Sequence, residues 1–238
     1  MPHFSPVVLF DIDGTLVQTS RAGVRGMNAA FAELYDRADA LQGVPIAGRT
    51  DRAIVSDAFR AAGREPTAEA IAALRDAYVR HLAIEIRQPA TSAFGVLPGV
   101  MALLDQLATM RPEMPVGLLT GNFEQGAAVK LTHFDLWRRF PFGAFGDNHL
   151  DRRDLVPVAC QRCREAGLEV APAGMIIIGD TPLDIDCAHA HGATAVAVAT
   201  GLYSVADLRA AGADLVVETL EAVANDGEWI ERLTAGVG

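Results

Sequence analysis

The sequence predicts an α/β fold: a doubly wound parallel sheet with an all-helical insert directly after its first strand. Three observations carry that prediction. Continuous apolar runs of strand length alternate with stretches of helical periodicity, as in a parallel sheet covered on both faces. One long segment, from about Leu16 to Ala93, breaks the alternation and shows helical spacing alone. Most of the apolar runs stop at Asp, Thr, Asn or Gly, residues suited to turns and helix caps.

Residues 6–10 (PVVLF) are apolar with β-branched residues at the centre, and they break at Asp11-Ile12-Asp13-Gly14. The insert follows, with helices expected over 22–35, 52–62 and 67–88. Phe31, Leu34, Ile54, Phe59, Leu74, Tyr78 and Leu82 supply its apolar stripes. No strand is expected there, and residues 91–95 return the chain to the core. After Pro98-Gly99, Val100, Leu103, Leu104 and Leu107 recur at helical spacing. Residues 116–119 (VGLL) form the next strand run. Trp137 and residues 140–145 read as core-lining loop. Pro157 opens a helix that runs to Ala166, with Gly167 just past its end. The strand runs 175–178, 195–199 and 215–217 complete the sheet, separated by helical stretches stopping at Gly192 and Gly212. Residues 1–16 and 94–238 are thus assigned to the core and 17–93 to the insert.

The chain has 238 residues, half of them hydrophobic, enough for one large core or a core with a satellite. Thirty acidic residues stand against twenty basic ones, a net charge of −10. Such a chain repels nucleic acid and anionic membranes, so neither is expected as a partner. The single lysine, Lys130, reads as a surface or helix-end residue. Cys160 and Cys163 lack a second pair at zinc spacing and read as two cysteines on one helix face. No signal-like start and no run of about 20 apolar residues is present, so a cytoplasmic location is the expectation. Oligomeric state is not legible.

Ligands bind beyond the carboxyl ends of strands in open parallel sheets. Those ends carry Asp11, Asp13, Gly14 and Thr15, then Thr120, Gly121 and Asn122, then Gly179, Asp180, Thr181 and Asp184. Oxygen ligands of this kind suit Mg²⁺, which often bridges to a phosphate. A carboxylate beside a metal can attack phosphorus, and a second one can carry the proton. What remains to be found is a cation for the transferring phosphoryl group.

Asp11-Ile12-Asp13-Gly14-Thr15-Leu16 resembles the first motif of the haloacid dehalogenase superfamily. Leu119-Thr120-Gly121-Asn122 is similar to its second motif, and Gly179-Asp180-Thr181-Pro182-Leu183-Asp184 to its fourth. The helical insert resembles the cap of the subgroup that contains phosphoglycolate phosphatase and β-phosphoglucomutase. The resemblance implies a Rossmann-like core and a Mg²⁺-dependent phosphatase acting on a small phosphorylated metabolite. It implies Asp11 as nucleophile and metal ligand. Asp13 becomes the general acid/base and offers its backbone carbonyl to the metal. Thr120, Gly121 and Asn122 hold the phosphoryl oxygens, Asp180 ligates the metal, and Asp184 acts one step back from it.

The family usually places a Lys, sometimes an Arg, ahead of the helix preceding the fourth motif. This chain reads Asp151-Arg152-Arg153-Asp154-Leu155 there. Arg153 is the first choice and Arg152 the alternative, since arginine binds phosphoryl oxygens bidentately. In the cap, Arg49 and Thr50 are candidates for substrate selectivity, against a plain helix N-cap with an exposed arginine. Hydrolysis of a phosphomonoester is the leading reading, phosphoglycolate or a sugar phosphate being the guess for substrate. A phosphomutase is the alternative. A non-catalytic binding relative ranks last because Asp11, Asp13 and Asp180 are all present.

Overall fold

The computed structural model describes residues 6–112, 114–224, 226 and 229. The chain opens with β1 (Val7–Phe10) and a three-residue β2 (Val17–Thr19). Helices α1 (Ala22–Tyr35), α2 (Asp51–Ala61) and α3 (Ala68–Glu85) follow, then β3 (Phe94–Val96). The remainder alternates: α4 (Val100–Met110), β4 (Val116–Thr120), α5 (Glu124–His133), β5 (Gly143–Phe145) and α6 (Leu155–Glu165). It ends with β6 (Met175–Gly179), α7 (Pro182–His189), β7 (Thr194–Val198), α8 (Val205–Ala210), β8 (Leu215–Val217) and α9 (Glu221–Ala224).

Six strands form one parallel sheet in the order β5-β4-β1-β6-β7-β8. Side chains alternate across it, as the two-residue period of a strand requires. Val8, Phe10, Ile176, Ile178, Val196 and Val198 pack on one face with α4 and α5. Val7, Leu9, Met175, Ile177, Ala195 and Ala197 pack on the other with α6, α7 and α8. Double coverage explains the unbroken apolar runs: a strand without a wet face keeps no polar residue in alternation.

The helices α1–α3 have a separate apolar cluster built on Phe31, Ile54, Phe59, Leu74, Tyr78 and Leu82, joined by Phe123 from the sheet side. Leu34, expected in that stripe, is instead exposed. Thr50 and Thr67 cap α2 and α3 by accepting from the N–H groups of Ala53 and Ala70.

Three local expectations need correction. β2 falls inside the segment expected to be helical throughout, and β3 takes up the end of the expected linker. They pair antiparallel as Val17↔Val96, Gln18↔Gly95 and Thr19↔Phe94, at the root of the helical lobe. Residues 143–145 are not loop but β5, paired with β4. Strands of three residues are made by their partners, since so short a run shows no period. Finally, α6 begins at Leu155 rather than Pro157. Pro157 still lies within the first turn, where its missing N–H costs no intrahelical bond.

Candidate active site

β1 lies between β4 and β6, so the ends of all three strands meet. Asp11 follows β1 and continues its ladder, donating its N–H to the Ile178 carbonyl at 2.9 Å. Thr120 ends β4, and Asp180 follows β6. Asp11, Asp180 and Asp184 are buried, with carboxylate oxygens within 4.8 Å of one another. Two glycines let this happen. Gly14 has φ +82°, and a Cβ there would collide with the Asp180 carboxylate. A Cβ on Gly201 would strike the same carboxylate from another side.

The cation among these acids is Arg152, not Arg153. Arg152 is buried on a short turn ahead of α6. Its Nη2 lies 2.9 Å from Asp11 Oδ1 and 2.5 Å from Asp184 Oδ1. The second contact is an ion pair lying off the line of an N–H bond, so Asp184 Oδ1 keeps no hydrogen bond. Nη1 donates to the Gly48 carbonyl at 2.9 Å, tying the helical lobe to the site. Arg153 is 53% exposed and forks onto Asp151. Two adjacent arginines on a tight turn point to opposite sides, and only one can face the sheet.

Asp184 sits at the third position of α7 and completes a capping box with Thr181. Its Oδ2 accepts from the Thr181 N–H at 3.0 Å and the Thr181 hydroxyl at 2.7 Å. The helix-start acid and the partner of Arg152 are therefore one residue.

Burial pushes the Asp11 carboxyl up to about 6. Arg152 works against that rise, Asp184 and Asp13 add to it, and a Thr120 hydrogen bond moderates it. Asp180 is raised to about 9, again by burial first, then by Asp184 and Asp11. Three carboxylates face one guanidinium, so the cluster is short of positive charge. An all-oxygen, acidic, crowded donor set fits a hard divalent cation.

On the lobe side, Asp13 meets Lys130. Lys130 Nζ donates to Asp13 Oδ2 at 2.5 Å and to Asn122 Oδ1 at 2.6 Å. The lysine stands in the last turn of α5, as a helix-end residue would, but it is buried, against the expectation of a surface position. The sequence carried a signal: Lys130 shares the inward stripe of α5 with Gly126, Ala127 and Leu131. Asn122 Nδ2 links Asp13 Oδ2 at 3.0 Å to Thr120 Oγ1 at 2.8 Å.

Asp51 is a further residue that sequence reasoning passed over. It starts α2, donates its N–H to the Gly121 carbonyl at 2.6 Å, and accepts from the Phe123 N–H at 2.8 Å. Burial raises its carboxyl to about 7, against the pull of Lys130. Its signal is the Thr50-Asp51 pair, where the sequence offers Thr50 for substrate selectivity or a helix N-cap and gives Asp51 no site role of its own.

A cavity of about 540 Å³ separates sheet and lobe. Asp11, Asp13, Gly121, Asn122, Arg152 and Asp180 line its floor, and Val24, Met27, Leu41 and Ile54 its lobe wall. Arg49 reaches this cavity, though its guanidinium is paired with Asp57 at 2.7 Å. Thr50 does not line it; the hydroxyl is spent on capping α2.

The haloacid dehalogenase-like hydrolase family model matches residues 8–189, which span β1, the lobe and both strand ends beside β1. The chain belongs to that family. A phosphoglycolate phosphatase from Yersinia pseudotuberculosis is 28% identical over 203 residues, covering 82% of this chain and 81% of the relative. Tyrosine-protein kinase PtkA from Mycobacterium tuberculosis is 27% identical over 246 aligned positions, covering the whole of this chain and 74% of the relative. The solved β-phosphoglucomutase of Clostridium difficile superposes with a TM-score of 0.69 at 17% identity, covering 98% of both chains. This haloacid dehalogenase-like chain is thus an enzyme of the phosphatase type. No helix among its described residues is long and apolar enough to cross a membrane.

Proposed function

We propose that the protein hydrolyses a small phosphomonoester in two displacements at Asp11, with Mg²⁺ held by Asp11, Asp180 and the Asp13 carbonyl. One observation carries the reading. The Asp11 carboxylate, fixed by Arg152, opens on a cavity that Asp13 also lines. Bound Mg²⁺ would supply positive charge against the phosphoryl oxygens and the crowded carboxylates.

In the first displacement an Asp11 oxygen forms a bond to phosphorus while the bond to the leaving oxygen breaks. Asp13 gives its proton to that oxygen. In the second, water attacks the aspartyl-phosphate, Asp13 takes the water's proton, and Asp11 is released as phosphate departs. Arg152 faces the phosphoryl oxygens with its fork, while Asp184 holds that fork in place. The Thr120–Asn122 turn supplies further donors. Residues 17–93 act as the cap over the site; Arg49 forms part of the wall that selects the substrate, and Thr50 sets the start of α2. Phosphoglycolate and sugar phosphates are both small enough for the cavity.

The test is a phosphate-release screen over small phosphomonoesters with Mg²⁺, repeated in EDTA. Release of alcohol and phosphate in equal amounts, abolished by EDTA, is the expected outcome. Isomerisation of a sugar phosphate without phosphate release would replace hydrolysis by a mutase reaction. Full turnover in EDTA would remove the metal from the reading.

A further inference from the structure

Lys130 is the chain's single lysine, and its side chain is 5% exposed. A buried ammonium is costly unless paired and hydrogen-bonded. Here it is paired with one particular atom. Asp13 Oδ2 accepts from Lys130 Nζ at 2.5 Å and from Asn122 Nδ2 at 3.0 Å. Lys130 and Asn122 also bond to each other at 2.6 Å, closing a triangle around that oxygen. No described residue donates to Asp13 Oδ1, and the Asp13 side chain is 43% exposed beside the cavity. One oxygen is thus held from α5 and the β4 turn, and the other is left open.

We infer that Lys130 is a positioning residue for proton transfer. It clamps one Asp13 oxygen so that the other faces the leaving oxygen of the substrate. The inference rests on the reading of Asp13 as the proton carrier. Arg152 does not share this task, because its contacts are Asp11, Asp184 and backbone carbonyls. Lys130 bonds to neither the nucleophile nor Asp180; the carboxylate it holds directly is that of Asp13, with Asn122 as the other member of the triangle. A purely architectural role, gluing α5 to the loop after β1, would slow every substrate alike. A positioning role would slow most the esters whose leaving oxygen needs the proton.

Phenyl phosphate and 4-nitrophenyl phosphate separate the two, being close in shape but different in leaving-group basicity. Lys130→Met should lower kcat/KM on phenyl phosphate by about 10²-fold, within the range of general acid catalysis, and on 4-nitrophenyl phosphate by less than about tenfold. Equal losses on both esters, or no loss on either, would overturn the proposal. Asp13→Ala, measured alongside, tests the reading beneath it. Wild-type rates on phenyl phosphate in Asp13→Ala would remove Asp13 as proton carrier, and the role of Lys130 with it. A selective loss in Asp13→Ala without one in Lys130→Met would remove Lys130 alone. If circular dichroism shows Lys130→Met unfolded, Lys130→Gln and Lys130→Arg are read on the same ratio. A ratio shifted toward the nitrophenyl ester upholds the proposal, and the wild-type ratio at reduced rates overturns it.

Discussion

Two buried cations stand on either side of the β1 terminus, and they are not equivalent. Arg152 serves the sheet side, against Asp11 and Asp184, with Asp180 adjoining. Lys130 serves the lobe side, against Asp13. On the first side one guanidinium faces three carboxylates, and burial raises Asp11 to about 6 and Asp180 to about 9. On the second the ammonium is matched directly by the Asp13 carboxylate, with buried Asp51 nearby. The lesson is one of charge balance: the side left short of positive charge is the side fit for a metal. The geometry of each cation also suits its task. A planar fork can span two acids and a carbonyl, whereas the compact ammonium of Lys130 gathers one carboxylate oxygen and one amide oxygen to a single point.

The largest expected effect breaks the sheet side outright. Asp11→Asn should lower kcat on any phosphomonoester by about 10⁴-fold or more, as loss of a nucleophile does, with circular dichroism unchanged. Residual turnover near the wild-type level would show that the nucleophile lies elsewhere. Next in size, Arg152→Ala should cost about 10²-fold or more in kcat/KM, the scale of a lost charge-stabilising donor. Arg153→Ala, on the exposed neighbour, should stay within about twofold. Similar losses from both would mean the two arginines share the task.

The smallest effect sharpens the lobe side and appears in stability. Burial holds the Asp51 carboxyl at about 7, above the ordinary value of about 3.9. The folded chain therefore keeps this proton over a range where the unfolded chain has lost it. The associated stability is fully present below the unfolded value and is lost as pH rises toward 7. Asp51→Asn, which retains an acceptor for the Phe123 N–H, should flatten the decline of Tm between pH 4 and pH 7. An unchanged slope would place the titration on other groups.

Much of this architecture is legible in the sequence. The apolar runs of β1, β4, β6 and β7 are long enough to declare themselves, and α1 matches its expected bounds. Asp11, Thr120, Asn122 and Asp180 were legible because strand ends define them. What escaped depends on tertiary partners. β2, β3 and β5 exist through pairing. Arg152 and Arg153 are adjacent and chemically identical, and only the path of the turn decides which one enters the site. Lys130 was judged by the habits of lysine, which favours solvent, although its place on the α5 stripe pointed inward.

Gly14 and Gly201 bear on how this chain can evolve. A methyl group is the smallest addition that a codon change can make, and at either position it would land on Asp180. At Gly201 the addition would be felt as a displaced acid, whereas at Gly14, with φ +82°, it would displace the acid and strain the turn together. A descendant carrying Gly201→Ala could therefore keep the architecture of its parent and forfeit its chemistry.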